Sequence, residues 1–129
     1  MREHFAYQQG EIEGWLAQSL ADSARAIKLD QSVALPFILH GHASLGQLDY
    51  ARAIDDFDTA IKINPTSYSA YGGRARVHTA LGDYSKARDD LATALSLNPA
   101  PDDRPILEAD RRNLDSNYVG DASVVSHNR

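Results

Sequence analysis

The chain contains no cysteine, so disulfides and thiolate metal ligands are excluded, while the redox compartment stays open. It also has no basic run. Its 13 Lys and Arg residues are scattered among 18 Asp and Glu, and the formal net charge of −5 argues against nucleic acid and anionic membrane as partners. No apolar stretch approaches the length of a membrane span, and Met1-Arg2-Glu3-His4-Phe5 lacks the apolar core of a signal peptide. If Met1 is the native start, a cytoplasmic protein is expected. Glycine-rich phosphate loops, nucleophile–base pairs and metal signatures are missing too, so no catalytic residue, cofactor or metal is expected.

What is present is a repeat. Phe37 to Pro65 and Tyr71 to Pro99 are one segment written twice at a spacing of 34 residues. The register pairs Phe37 with Tyr71, Gly41 with Ala75, Asp49-Tyr50 with Asp83-Tyr84, Ala53 with Ala87, Phe57 with Leu91, Ala60 with Ala94 and Asn64-Pro65 with Asn98-Pro99. A fixed period of this length means one supersecondary unit stacked on copies of itself, which makes an extended surface rather than a catalytic pocket. At 129 residues the chain is one domain's worth.

Each copy reads as two helices. Tyr71, Ala75 and His78 recur at helical spacing and lead to Leu81-Gly82-Asp83, where a glycine suits a left-handed helix end. Tyr84, Ala87, Leu91, Ala94 and Leu95 form the stripe of a second helix, stopped at Asn98-Pro99. Small residues at 41, 53, 60, 75, 87 and 94 mark close helix approach, and Phe37, Phe57, Tyr71 and Leu91 fill the gaps. In the earlier copy the glycine of Leu45-Gly46 comes two residues sooner, so a longer turn is expected there.

One step further back, Ala26-Ile27-Lys28-Leu29-Asp30 aligns with Ala60 to Asn64 in a worn copy that has Ser19 and Ser23 at the alanine and phenylalanine positions. A short first helix around Glu3 to Gln9 is expected before it, with Trp15 buried against the second copy. After Pro99, Asp102 or Asp103 caps a helix with Pro105 in its first turn and Ile106, Leu107, Ala109 and Leu114 on a narrow apolar face. The expected boundaries are 1–33, 34–67 and 68–100 for the three repeats and 101–114 for a capping helix, together a domain of 1–114. A flexible tail is expected over 115–129.

The pattern resembles the tetratricopeptide repeat, a helix-turn-helix unit of the same length. The residues that carry the likeness are Tyr71, Ala75, Gly82, Tyr84, Ala87, Leu91, Ala94 and Pro99, with Phe37, Gly41, Tyr50, Ala53, Phe57, Ala60 and Pro65 before them. Arg74 departs from it, standing where an apolar residue usually follows the aromatic. The wording of the copies is similar to that of bacterial members. The resemblance implies an all-α solenoid of stacked antiparallel helix pairs, about three repeats plus a C-terminal cap, in a right-handed superhelix.

It also implies a non-catalytic module that binds a partner peptide or helix in a concave groove. The groove residues would be Gln8, Leu35, Ile38, His42 and Leu45, then Ser69, Gly72, Arg76, Thr79 and Asp110. Gln8, His42, Arg76 and Asp110 are successive steps of one 34-residue ladder. The family's carboxylate clamp, which grips a chaperone C-terminus with lysine, asparagine and arginine, is not matched. The corresponding positions carry His4, Gln8, Ile38 or Leu39, His42, Ser69 and Gly73. The alternative is a regulatory or assembly domain of a larger complex, with self-association through the degenerate N-terminal repeat.

Two further clusters read as structural. In His40-Gly41-His42, residues two apart on a helix diverge, and His40 should face the packed side. Asp55-Asp56 and Asp89-Asp90 should form a solvated convex ridge, paired with Arg52, Lys86 and Arg88 at helical spacing.

Overall fold

Side chains that cap and small residues that pack decide where this chain turns. The computed structural model describes the backbone of residues 2–127 and the side chains of residues 13–116. The described chain is α1 (Arg2–Leu29), α2 (Ala34–Gly46), α3 (Tyr50–Ile63), α4 (Tyr68–Ala80), α5 (Tyr84–Ser96) and α6 (Arg104–His127), with no strand. They form two compact units, Met1–Pro65 and Thr66–Arg129. In the first, α2 packs on both α1 and α3; in the second, α5 packs on both α4 and α6.

Asp49 caps α3 by accepting from the Arg52 amide at 3.2 Å, and Ser67 caps α4 through the Ala70 amide at 3.4 Å. These side chains satisfy donors that a helix start leaves without internal partners. The core of the first unit is Ala53, Phe57 and Ala60, all fully buried. Gly41 is the close-approach point: a Cβ built there would lie 2.9 Å from the Phe57 ring. In the second unit, Ala75, Ala87, Leu91, Ala94, Leu107 and Leu114 form one cluster with Tyr68, Tyr71, Tyr84 and Leu95 against it.

The turn after α2 is no longer than the turn after α4, contrary to expectation; each has three residues between helices. The hydrogen bonds explain why. Asp49 N donates to Ser44 O at 2.9 Å and Asp83 N to His78 O at 2.8 Å, the same six-to-one closure in both copies. The closure needs a left-handed residue just before its donor, and Leu48 supplies it at φ 64 where Gly82 does so at φ 81. A side chain in that region costs about 1–2 kcal/mol, partly offset by the larger entropy a glycine would lose on folding. Leu48→Gly should therefore raise stability by about 0.5–1 kcal/mol in urea denaturation, and Gly82→Leu should lower it.

Three other expectations change. The worn repeat is one continuous helix, α1, rather than a short helix, a turn and a second helix. No proline interrupts 2–29, and an interior glycine costs only about 1 kcal/mol relative to alanine. Trp15 is 70 % exposed rather than buried. The stretch 115–127, expected as a flexible tail, continues α6, since nothing after Leu114 carries a proline stop. Residues 128 and 129 lie outside the described chain.

Candidate functional site

Five of the ten groove residues expected from sequence fall in each unit, and the second unit brings three of its five together. Arg76 Nε donates to Asp110 Oδ2 at 3.1 Å, linking α4 to α6. Both side chains remain partly exposed, so solvent screens the pair and its own stabilisation is small. The pair stands over a hollow of about 200 Å³ lined by Ala75, Arg76, Thr79, Leu91, Asp110, Asn113 and Leu114. Thr79 Oγ1 donates to its own helix at Ala75 O, 2.8 Å away, and so is held in place. The result is an apolar floor with a charged pair and an amide at its rim. Ser69 is exposed on α4 outside it, and Gly72 is buried, where a Cβ would lie 2.8 Å from Leu107 Cδ2.

In the first unit, His42 lies edge-on to Phe57 with ring centroids 5.1 Å apart. Ile38 is buried, Leu45 is half-buried, and Leu35 is exposed. Leu35 lines a different hollow of about 330 Å³, with Trp15, Gln18, Ser19, Asp22, Ser23, Ala26, Pro36 and Leu39. Gln8 is on α1, but its side chain lies outside the described residues.

The acidic residues do not form a uniform solvated ridge. Asp55 and Asp89 are exposed, but Asp56 and Asp90 turn inward onto the preceding helix. His40 Nδ1 meets Asp56 Oδ2 at 2.5 Å. At the next step of the ladder, Arg74 grips Asp90 with two bonds of 2.9 and 2.8 Å. Arg74 also stacks over Tyr71, 5.5 Å from the ring centroid, and His78 Nε2 lies 3.7 Å from Asp90. Burial pushes the Asp56 carboxyl above its ordinary value, while the His40 bond pulls it part of the way back. Matching carboxylates only to bases on their own helix misses these pairs, which run between helices. The signal was there: each base precedes its aspartate by 16 residues, in register between copies.

Tyr68 completes the α4–α6 contact by donating its hydroxyl to Asp103 Oδ2 at 2.6 Å, which raises the phenol above its ordinary value. His40 is buried, as a structural histidine should be, and no group of three or more His, Asp or Glu able to hold a metal occurs among the described residues.

Residues 44–105 match the family model described as "Tetratricopeptide repeat". Residues 44–105 carry the tetratricopeptide repeat. The solved structures agree on the fold. The Arabidopsis OM64 TPR domain has a TM-score of 0.71 and 21 % identity, covering 83 % of this chain and 86 % of that one. The TPR2B domain of yeast Sti1, solved as a pHsp70 complex, has a TM-score of 0.74 and 16 % identity, covering 85 % and 90 %. The second TPR of Spaghetti (RPAP3), bound to the HSP90 peptide SRMEEVD, has a TM-score of 0.63 and 26 % identity, covering 70 % and 84 %. Comparison with curated protein sequences gives no match. No helix among the described residues is long and apolar enough to cross a membrane.

Proposed function

We propose that this chain is a non-catalytic protein-interaction module and that its second unit holds a partner peptide or helix on the α4–α6 face. The observation that carries the reading is the Arg76–Asp110 pair at the rim of an apolar hollow, with Thr79 and Asn113 beside it. An apolar anchor with a few convergent polar groups is what recognition of one side chain needs. The solved structures of yeast Sti1 and RPAP3 named above hold peptides, which supports a peptide as the class of ligand. In the first unit, the equivalent face of α2 offers His42, Leu45 and Leu35.

The partner should not be recognised through a C-terminal carboxylate in the clamp manner. The clamp positions carry Ile38, Leu39, His42, Ser69 and Gly73, with no lysine or asparagine, and Ile38 and Gly73 are buried. We place the protein in the cytoplasm on this reading, with neither nucleic acid nor membrane as partner. The boundaries 1–33, 34–67, 68–100 and 101–114 remain our division into repeats and cap, with α6 extending past the cap to His127.

The pair makes the test specific, because each charge masks the other. On an array of ten-residue peptides of varied charge, Asp110→Asn should strengthen binding of acidic peptides by uncovering Arg76. Arg76→Ala should weaken those peptides and shift preference towards basic ones, by about three- to tenfold, as charge-assisted contacts at a half-exposed site allow. A peptide profile that neither substitution alters would remove the α4–α6 face from the function. A second reading, self-association through the worn N-terminal repeat, is favoured by the open hollow between α1 and α2.

A further inference from the structure

The hollow on α1 and α2 holds a carboxylate that lacks the base its counterparts have. Asp22, on the α1 wall, stands one and two ladder steps before Asp56 and Asp90. Each of those meets a base from the helix before it. His40 of α2 reaches Asp56 at 2.5 Å, and Arg74 of α4 grips Asp90 at 2.9 and 2.8 Å. Both bases precede their carboxylate by 16 residues, and the residue at that distance before Asp22 is Ala6. Asp22 is exposed, and among the described residues its carboxylate accepts from Gln18 Nε2 at 2.9 Å, on its own helix and also in the hollow wall. The other wall, α2, has no lysine or arginine in its sequence.

The apolar part of the hollow shows the same loss. Ser23 stands at the ladder place of Phe57 and Leu91, both fully buried. In those copies the helix before presents a small residue directly after its base: Gly41 after His40, and Ala75 after Arg74. A Cβ at Gly41 would already lie 2.9 Å from the Phe57 ring, so a large residue on one side excludes a large one on the other. Ser23 reverses that condition. It is smaller than phenylalanine or leucine, and its hydroxyl is donated to Ser19 O at 2.7 Å, so it leaves space and asks for no polar partner. The space is a hollow of about 330 Å³. Leu39 shows what kind of element is missing. It is 49 % exposed, whereas Leu107, two ladder steps on, is 6 % exposed because a helix, α4, lies against it at Gly72.

The register therefore specifies the occupant. It is a helix that presents a base to Asp22 and, in the very next position, a large apolar residue to Ser23. This chain does not supply it. The stretch one step before α2 continues α1 without a turn, and its Ala6 brings no charge. We infer that the α1–α2 hollow docks an amphipathic helix of another protein, one that carries Arg or Lys followed directly by a large apolar residue. The apolar residue supplies the anchor, and the base at Asp22 fixes the register of the helix in its groove. Trp15, 70 % exposed beside the hollow, is covered by the docked helix. The site belongs to the first unit and is independent of the α4–α6 face.

Trp15 is the only tryptophan in the chain, so its fluorescence reports on this hollow. A display library of amphipathic helical peptides, randomised at two adjacent positions, is selected on the full chain, and binders are scored by Trp15 emission. Binders that shift the emission to shorter wavelength should carry Arg or Lys followed by Leu, Met or Phe. Asp22→Lys, a change at an exposed position, should weaken those binders by about tenfold, and selection on that variant should return Glu or Asp in the first position. Ser23→Phe should exclude the large residue while circular dichroism stays helical. The proposal is overturned by binders with no preference for a base, by binders that Asp22→Lys leaves unchanged, or by a library in which none acts on Trp15. A chain that is a dimer by light scattering with Trp15 already covered makes a second copy the occupant and overturns it as well. Arg76→Ala should leave these helices unaffected, so this inference and the proposed function fail separately.

Discussion

Phe57→Ala should destabilise the first unit by about 3–5 kcal/mol, the range for emptying a fully buried aromatic site that its neighbours cannot close. Gly41 packs directly on the ring, and Ala53 and Ala60 flank it on α3. None of these three can extend into the space left behind, and the His42 ring meets Phe57 only edge-on. The converse change is nearly as costly. Gly41→Ala places a carbon 2.9 Å from Cε1 and Cζ of a ring locked in the core, and overpacking of that kind costs about 1–3 kcal/mol. The second repeat shows how the two should compensate, for there the same ladder positions hold Ala75 and Leu91. The pair Gly41→Ala/Phe57→Leu should recover most of the loss of Gly41→Ala alone, with a coupling of about 1 kcal/mol or more in a urea-denaturation cycle. Strict additivity of the two changes would mean that size exchange between facing positions does not govern this packing.

The same exchange of sizes is why so much of the fold could be read from the letters. Alanines and glycines at 41, 53, 60, 75, 87 and 94 are informative because few other residues permit helices so close. Where the reading failed, the deciding term was not carried by residue type. At Leu48 the six-to-one hydrogen bond fixes the left-handed backbone, and the side chain is tolerated because it is exposed. At Gly10 and Gly14 a weak glycine preference loses to helix continuity, so α1 passes straight through the expected turn.

The candidate site was legible in part for a related reason. Arg76 and Asp110 stand one ladder step apart and do meet across α4 and α6. Ile38 and Gly72 share the same face in the register, yet burial removes them from the surface, and no periodic rule distinguishes a lining position from a packed one. Asp56 and Asp90 are the sharper case. Their neighbours Asp55 and Asp89 do face solvent, and one helical step of about 100° separates a solvated carboxylate from a buried one.

Asp90→Ala should cost about 2–4 kcal/mol, whereas Asp56→Ala, at the same place one repeat earlier, should cost about 1 kcal/mol. Both carboxylates accept from a base on the preceding helix, and the difference lies in what each base can do alone. A buried imidazole can be accommodated as a neutral ring, but a guanidinium stays charged at any pH a protein tolerates. Arg74 is three-quarters buried beneath the helix pair, so only part of its lost partner can be replaced by water, which holds the cost below that of a wholly enclosed pair. His78, 3.7 Å from Asp90, loses its carboxylate as well. Replacing both members of the pair is therefore the decisive measurement. Arg74→Leu/Asp90→Leu restores the apolar residue usual after the aromatic and leaves no charge to solvate, so its stability should lie within about 1 kcal/mol of the wild type. If the double variant is as unstable as Asp90→Ala, the pair contributes net attraction of its own. If it matches the wild type, the pair is retained for the orientation it imposes between α4 and α5, and that orientation sets where Arg76 stands on the opposite side of α4.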